Sequence, residues 1–231
     1  MQDISSLSFQ LDSESEKNQL KLIPQLIETG EVGYQTLMEW MGSCRDRGMA
    51  TIPMGKAYQI LYKQGTPETK EFITQNFPTG VVPLKSESDI DYLPLQRLLA
   101  EQDFQQADLV TIQKLCELAG ESAMERKWLY FTEVGSFPIA DFQTIDRLWL
   151  VHSEGKFGFS VQRKIWLSLG KDFGQLWEKI DWKKGNNWTR YPNEFTWNLT
   201  APRGHLPLSN QLRGVRVIDA IFKHPAWLVN S

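Results

Sequence analysis

The chain has 231 residues with 25 Lys+Arg against 28 Asp+Glu, a formal charge of −3, and is 41% hydrophobic and 12% aromatic. That is enough apolar material for one large domain or two small ones, which excludes a disordered chain, and two cysteines exclude a disulfide framework, so Cys44 and Cys116 read as buried reduced thiols. No apolar stretch approaches the roughly 20 residues of a membrane span, and the acidic N-terminus lacks a basic signal flank or transit-peptide arginines, so a soluble cytosolic protein of prokaryotic type is expected.

Leu20, Ile23, Leu26 and Ile27 recur at helical spacing between Ser13, a candidate N-cap, and Gly30, a stop, with Pro24 expected to kink or shorten the helix. A second helix is predicted through Leu37, Trp40, Met41 and Cys44, and a third through Tyr58, Leu61 and Tyr62 to Gly65. Thr66-Pro67-Glu68 supplies a cap, a first-position proline and a first-turn acid for a fourth, which closes before Pro78. Residues 1–77 are thus predicted as a small bundle of helix pairs, with no convincing repeat consensus to make them a helical array.

Residues 78–94, PTGVVPLKSESDIDYLP, carry three prolines, a glycine and an acidic run without helical period. A linker is predicted at 78–90 and a second domain at 91–231. There Leu95, Leu98 and Leu99 come first. Asp103 then caps a helix that carries Phe104, Ala107, Ile112, Leu115, Cys116 and Ala119 to Gly120. A short helix through Trp128 and Phe131 follows, then helices through Ile145, Leu148, Trp149 and His152, through Val161, Ile165 and Trp166, and through Phe173, Leu176, Trp177 and Ile180. Residues 181–208 show neither helical nor strand period, and a long irregular segment inside a compact domain is usually functional. A last helix places Leu212, Val215, Ile218 and Phe222 on its apolar side, with Arg213 and Arg216 sharing the adjacent face.

Two features stand out against this all-α frame. Eight of nine tryptophans lie in the last 104 residues, and residues 183–231 hold seven basic groups against two acidic, a local +5 that leaves −8 for the rest. A basic, aromatic end on an acidic protein suits a local site for a flat anionic partner, since a general polyanion binder is usually basic throughout.

The common catalytic and nucleotide spacings are absent: no G-x-x-x-x-G-K-[ST], G-x-G-x-x-G, G-x-S-x-G or H-E-x-x-H. His152, His205 and His224 are isolated from one another and from cysteines, so no metal centre is predicted and each reads as structural. What remains is Trp188, Tyr191, Phe195 and Trp197 beside Arg190, together with Arg213 and Arg216. The rings are either anchors of an irregular loop or the wall of an apolar concavity; two guanidinium forks at its rim would suit two carboxylates. A single-strand nucleic-acid-binding module is the alternative, because aromatics interleaved with Arg and Lys also make stacking platforms.

The strings DYLPLQRLLAEQDFQQAD (91–108), KLCELAG (114–120), RKWLYFTEVGSFP (126–138), GKFGFSVQRKIW (155–166), WTRYP (188–192), FTWNLTAPRGHLP (195–207) and NQLRGVRV (210–217) resemble the genomes uncoupled four family of porphyrin-binding regulators over about residues 80–231. The N-terminal helices look like the bundle appended in cyanobacterial members. The resemblance implies an all-α, cupped-hand core that takes up protoporphyrin IX and magnesium protoporphyrin IX in a greasy palm. It implies ring contacts at Phe131, Val134, Trp188, Tyr191 and Phe195, and polar partners at Asn210, Arg213 and Arg216. It further implies no catalytic residue, no metal ligand and no required cofactor. The family stimulates magnesium chelatase in chlorophyll biosynthesis, so a monomer in the cyanobacterial cytoplasm is expected, with peripheral association at the thylakoid membrane, contact with the large porphyrin-binding subunit of the chelatase and no nucleic-acid partner. Position 191, commonly tryptophan in cyanobacterial relatives, is tyrosine here, which keeps a stacking face and adds a hydroxyl.

Overall fold

A computed structural model describes residues 4–208 and 215–228, which hold thirteen α-helices, one two-stranded ribbon and a short 3-10 turn. The fold is all-α, as expected. The chain divides into two compact units, Met1–Pro83 and Leu84–Ser231.

The first unit is built from α1 (Ile4–Ser13), α2 (Glu16–Ile27), α3 (Glu31–Asp46), α4 (Ile52–Gln64) and α5 (Pro67–Asn76). α1 is an addition to the sequence reading, and it corrects the cap assignment: Ser13 ends α1, its hydroxyl donating to the Gln10 carbonyl at 2.8 Å, while Ser15 precedes α2. Pro24 sits within α2 without ending it. α1 is tied to α3, where Asp12 accepts two bonds from the Arg47 guanidinium at 2.8 and 2.6 Å and one from the Trp40 indole at 3.3 Å. Thr51 and Thr66 cap α4 and α5 through their side-chain oxygens, each with a proline in the first turn. Ile23, Leu37, Trp40, Met41, Cys44, Met54 and Leu61 form the core.

In the second unit, residues 85–92 are pinned rather than free. Asp141, fully buried on α10 (Ile139–His152), accepts the Ser86 hydroxyl, the Glu87 N–H at 2.8 Å and the Tyr92 hydroxyl at 2.9 Å, and Thr144 donates to the Lys85 carbonyl at 2.7 Å. A buried carboxylate needs such partners, and this one draws them from the stretch that composition marks as a linker. α6 (Leu93–Glu101) leads to α7 (Phe104–Ala119), capped by Asp103 through the Gln106 N–H and closed by Gly120 at φ 99°. The short helix expected through Trp128 and Phe131 is two: α8 (Glu121–Arg126) stops at Lys127, whose φ is 62°, and α9 (Phe131–Val134) starts after an extended turn. α11 (Phe159–Ser168) and α12 (Phe173–Lys179) complete the helical body.

The aromatic core packs in layers. The rings of Phe104 and Trp149 stack at 6.0 Å, Phe157 meets Phe104 edge-on at 5.4 Å, and the Trp149 indole donates to Thr111 at 2.9 Å. Gly158 explains the GKFGFS string: its φ is 131° and a Cβ there would stand 2.8 Å from Asp146 Oδ1, which accepts the Ser160 N–H at 2.8 Å. Only glycine lets the chain pass that carboxyl while the flanking Phe157 and Phe159 bury on both sides. After α12 comes a departure from the irregular reading: β1 (Lys183–Lys184) pairs antiparallel with β2 (Asn187–Trp188) around Gly185-Asn186. α13 (Arg216–Lys223) buries Val217, Ile218, Ile221 and Phe222, while Val215, expected on the apolar side, is exposed ahead of it. Leu212 lies outside the described residues.

Candidate ligand-binding site

The second unit contains a cavity of about 540 Å³. One wall is α7, whose Asp108, Leu109, Ile112, Leu115 and Cys116 share a face because they recur every three to four residues. Met124 and Lys127 come from α8 and its end, Trp128 and Leu129 from the turn beyond, Tyr191 and Leu208 from the long loop region, and Val217 and Ile221 from α13. Leu109, Met124 and Tyr191 keep 46%, 44% and 44% of their surface exposed, so this apolar concavity is open and incompletely covered by its own chain.

The turn that carries Trp128 is clamped from behind. Arg126 gives both oxygens of Glu133 bonds of 2.7 and 2.8 Å, donates to the Trp128 carbonyl at 3.2 Å, and lies 4.9 and 4.3 Å from the ring centres of Trp128 and Tyr130. Glu133 also accepts the Tyr130 N–H at 2.8 Å, which starts α9. Arg126 is therefore engaged as a brace, with its charge already paired.

The loop from Thr189 to Leu208 is held by side chains. Thr189 bonds both Trp182 and Asp181 carbonyls at 3.0 and 2.9 Å, the Trp197 indole donates to the Pro192 carbonyl at 2.9 Å, and the Trp182 indole donates to the His205 carbonyl at 2.7 Å. Both proposed roles for its aromatics are realised by different rings. Phe195 is buried, 5.8 Å from Trp197 and 5.2 Å from His205, and acts as anchor; Tyr191 packs tilted to Phe195 at 6.5 Å and edge-on to Trp197 at 5.9 Å, stays exposed and lines the cavity.

Of the eight residues singled out from the sequence, Tyr191 is the one among the described residues that lines the cavity. Phe131 is exposed on α9, which packs on α13, and the Arg216 guanidinium stands over its ring at 5.4 Å. Val134 on α9 is fully buried, and Phe195 is buried 6.5 Å from the Tyr191 ring. Trp188 is exposed on the ribbon, 6.1 Å from Trp177, with the Lys183 ammonium 5.7 Å above it. Asn210 and Arg213 lie outside the described residues. Sequence reasoning missed the α7 wall and Asp108. The signal was present, an aspartate set within the apolar run around Ala107, Leu109 and Val110, but that pattern reads equally as a helix face with one polar edge.

Asp108 is only 2% exposed, and its Oδ1 accepts the Leu208 N–H at 2.6 Å. Burial pushes its carboxyl up to about 7, with the Leu208 bond pulling the other way. Burial, and then the charge of Asp108, also raise the Tyr191 phenol, and burial pushes the Cys116 thiol up to about 11, which leaves it unreactive. All three histidines are buried and bonded within the fold: His205 to Ile180 and Thr196, His224 to Phe137 and Ala226, His152 to Gln96. No group of three or more His, Cys, Asp or Glu side chains suited to a metal ion occurs among the described residues.

Comparison with known proteins places these features in a family. A family described as GUN4-like matches residues 85–225, and one described as an ARM-like repeat domain, GUN4-N terminal, matches residues 1–78. The second match gives the N-terminal helices a repeat kinship that their sequence does not display as a consensus. The chain is 50% identical to the Ycf53-like protein of Synechocystis over 225 residues, 97% of each chain. It is 42% identical over 142 residues to the chloroplastic tetrapyrrole-binding protein of Arabidopsis thaliana, covering 58% of this chain and 54% of that one. The solved structure of GUN4 from Chlamydomonas reinhardtii superposes with a TM-score of 0.60 at 42% identity, over 64% of this chain and 94% of that one.

Proposed function

The chain belongs to the GUN4-like family, and from that we propose that it is a tetrapyrrole-binding protein whose ligands are protoporphyrin IX and magnesium protoporphyrin IX. The observation that carries this reading is the open apolar cavity of about 540 Å³, within the roughly 300–1,000 Å³ range of small-molecule sites, with an aromatic face at Tyr191 on its wall. A flat ring of roughly 40 heavy atoms at about 0.3 kcal/mol each has a ceiling near −12 kcal/mol, most of it from burying ring area. The arginines orient. Arg216, exposed one residue before Val217 of the cavity wall, is proposed to receive a propionate, with Arg213 as its partner.

Phe131, Val134, Trp188 and Phe195 act in this reading as the rest of the ring-binding surface, the buried ones by setting the position of the exposed ones. The protein carries tetrapyrrole rather than converting it, and it activates magnesium chelatase in chlorophyll biosynthesis by exchanging ligand with the large porphyrin-binding subunit. The nucleic-acid alternative finds no support: of the four loop rings, Phe195 is spent on the core and Trp197 is partly buried, which leaves no continuous stacking platform. The test is to titrate the protein with protoporphyrin while following tryptophan emission and the Soret band, then to assay chelatase rate with and without it. Saturable quenching with a shifted Soret band and a faster chelatase are expected; no saturable change would overturn the reading.

A further inference from the structure

Asp108 is unlike every other group on the cavity wall. It is buried, its Oδ1 is fixed by the Leu208 N–H at 2.6 Å, and no ion pair among the described residues includes it. Among the described residues, the other titratable side chains on the cavity are Cys116 of the same helix, Lys127 exposed at the end of α8, and Tyr191, and α13 contributes Val217 and Ile221. Among the described residues the cavity therefore presents one ammonium, exposed at Lys127, and one carboxyl, buried at Asp108.

A carboxylate in an apolar cavity is costly unless a donor or cation meets it. The methyl and vinyl edge of a tetrapyrrole offers neither, and a propionate would repel it. The electropositive part of a metallated ring is its centre, where a water held by the metal is a strong donor because the metal lowers its pKa. A metal-free ring presents no such donor along its axis. Charge-assisted bonds of this kind are about twice as strong as neutral ones.

We propose that Asp108 is the residue by which this cavity distinguishes metallated from metal-free tetrapyrrole, its carboxylate being the group that would accept a hydrogen bond from a water held by the metal. The inference rests on the tetrapyrrole reading above and adds to it a preference and the group that makes it. It leaves the metal without a protein ligand, and it gives a role to a carboxyl that burial holds near neutrality, about 7, where its charge is adjustable.

The experiment uses the full chain and two probes, zinc protoporphyrin, which keeps its metal in mild acid, and metal-free protoporphyrin. In Asp108→Asn, which retains the acceptor for the Leu208 N–H, affinity for the zinc form should fall about ten-fold while the metal-free form stays within about two-fold. A second readout needs no variant: in the unmodified protein the ratio of zinc-form to metal-free affinity should fall as the pH is lowered from about 8 to about 6, the metal-free probe correcting for titration of the propionates. Equal loss of both forms in the variant, or a ratio that is flat with pH, would overturn the role of Asp108 while leaving tetrapyrrole binding intact. Failure of both probes to bind the unmodified protein would overturn the tetrapyrrole reading, and this inference with it.

Discussion

His205 holds Thr196 in place: its Nε2 accepts the Thr196 N–H at 3.2 Å, while Nδ1, 2.7 Å from the Ile180 carbonyl, carries the proton. One neutral imidazole thus ties the aromatic loop to the end of α12 and packs its ring on Phe195 at 5.2 Å. Replacing His205 with Leu removes both bonds, and a loss of about 2–4 kcal/mol in urea unfolding is expected. Porphyrin affinity should fall with it, equally for metal-free and zinc forms, because the effect passes through Phe195 and Tyr191. A loss confined to the zinc form would instead assign the imidazole to the metal.

The same burial predicts a pH profile of stability. His152 is pushed down to about 3, and His205 and His224 are also lowered, in each case chiefly by burial. A group whose folded pKa lies below its unfolded value, about 6.5 for histidine, contributes stability that is present above that value and lost as the pH falls. Asp108 and Asp146 run the other way: raised by burial to about 7 and about 6, they favour folding below the unfolded carboxyl pKa and lose that contribution as the pH rises. Stability should therefore peak in mild acid to neutral pH. Asp108→Asn should gain about 1–3 kcal/mol on the unmodified protein at pH 8 and almost nothing at pH 4, as measured by urea midpoints.

Residues 84–231 should fold and bind porphyrin alone. The cavity residues all lie there, and so do the anchors Lys85, Ser86, Glu87 and Tyr92 that meet Asp141 and Thr144. A chain starting at Leu84 should keep affinity within about two-fold, whereas one starting at Leu93 strands the buried Asp141 carboxylate and should lose about 3–5 kcal/mol of stability. Equal behaviour of the two chains in thermal unfolding and porphyrin titration would contradict this.

Arg216 is exposed over Phe131, so removing it should cost the fold less than about 0.5 kcal/mol. Arg216→Ala should weaken porphyrin binding and chelatase stimulation together, and Arg216→Lys should recover only part, since an ammonium lacks the bidentate fork. Esterified porphyrin should bind more weakly to the unmodified protein and lose little more in the variant, because both changes remove the same interaction. Esterified and free-acid porphyrin binding alike would place the guanidinium in another contact.

Local chemistry made much of the frame legible. Asp103 and Gly120 bracket α7, and Thr66-Pro67 opens α5, because caps and prolines act within a few residues. The failures share a cause in longer-range context. Strands of two residues have no period to detect, so the Lys183–Trp188 ribbon was invisible. Lys127 ends α8 in a left-handed conformation that nothing in its side chain announces. Tyr191 was found because an aromatic in an irregular loop needs a reason, whereas Ile112 and Leu115 were hidden: a helical apolar stripe looks the same whether it faces core or ligand.

The central claim, that the α7 cavity is where tetrapyrrole enters, is tested most directly by filling it. Ile112 lies on the wall, partly exposed, and Ile112→Trp would occupy the ring's place with an indole while the helix remains intact. Protoporphyrin titration of this variant, followed by the Soret band, should show affinity reduced by about a hundred-fold or more at unchanged helical content, the cost of displacing or overpacking against a bulky side chain. Unreduced affinity in a folded Ile112→Trp protein would contradict the account and place the ligand elsewhere.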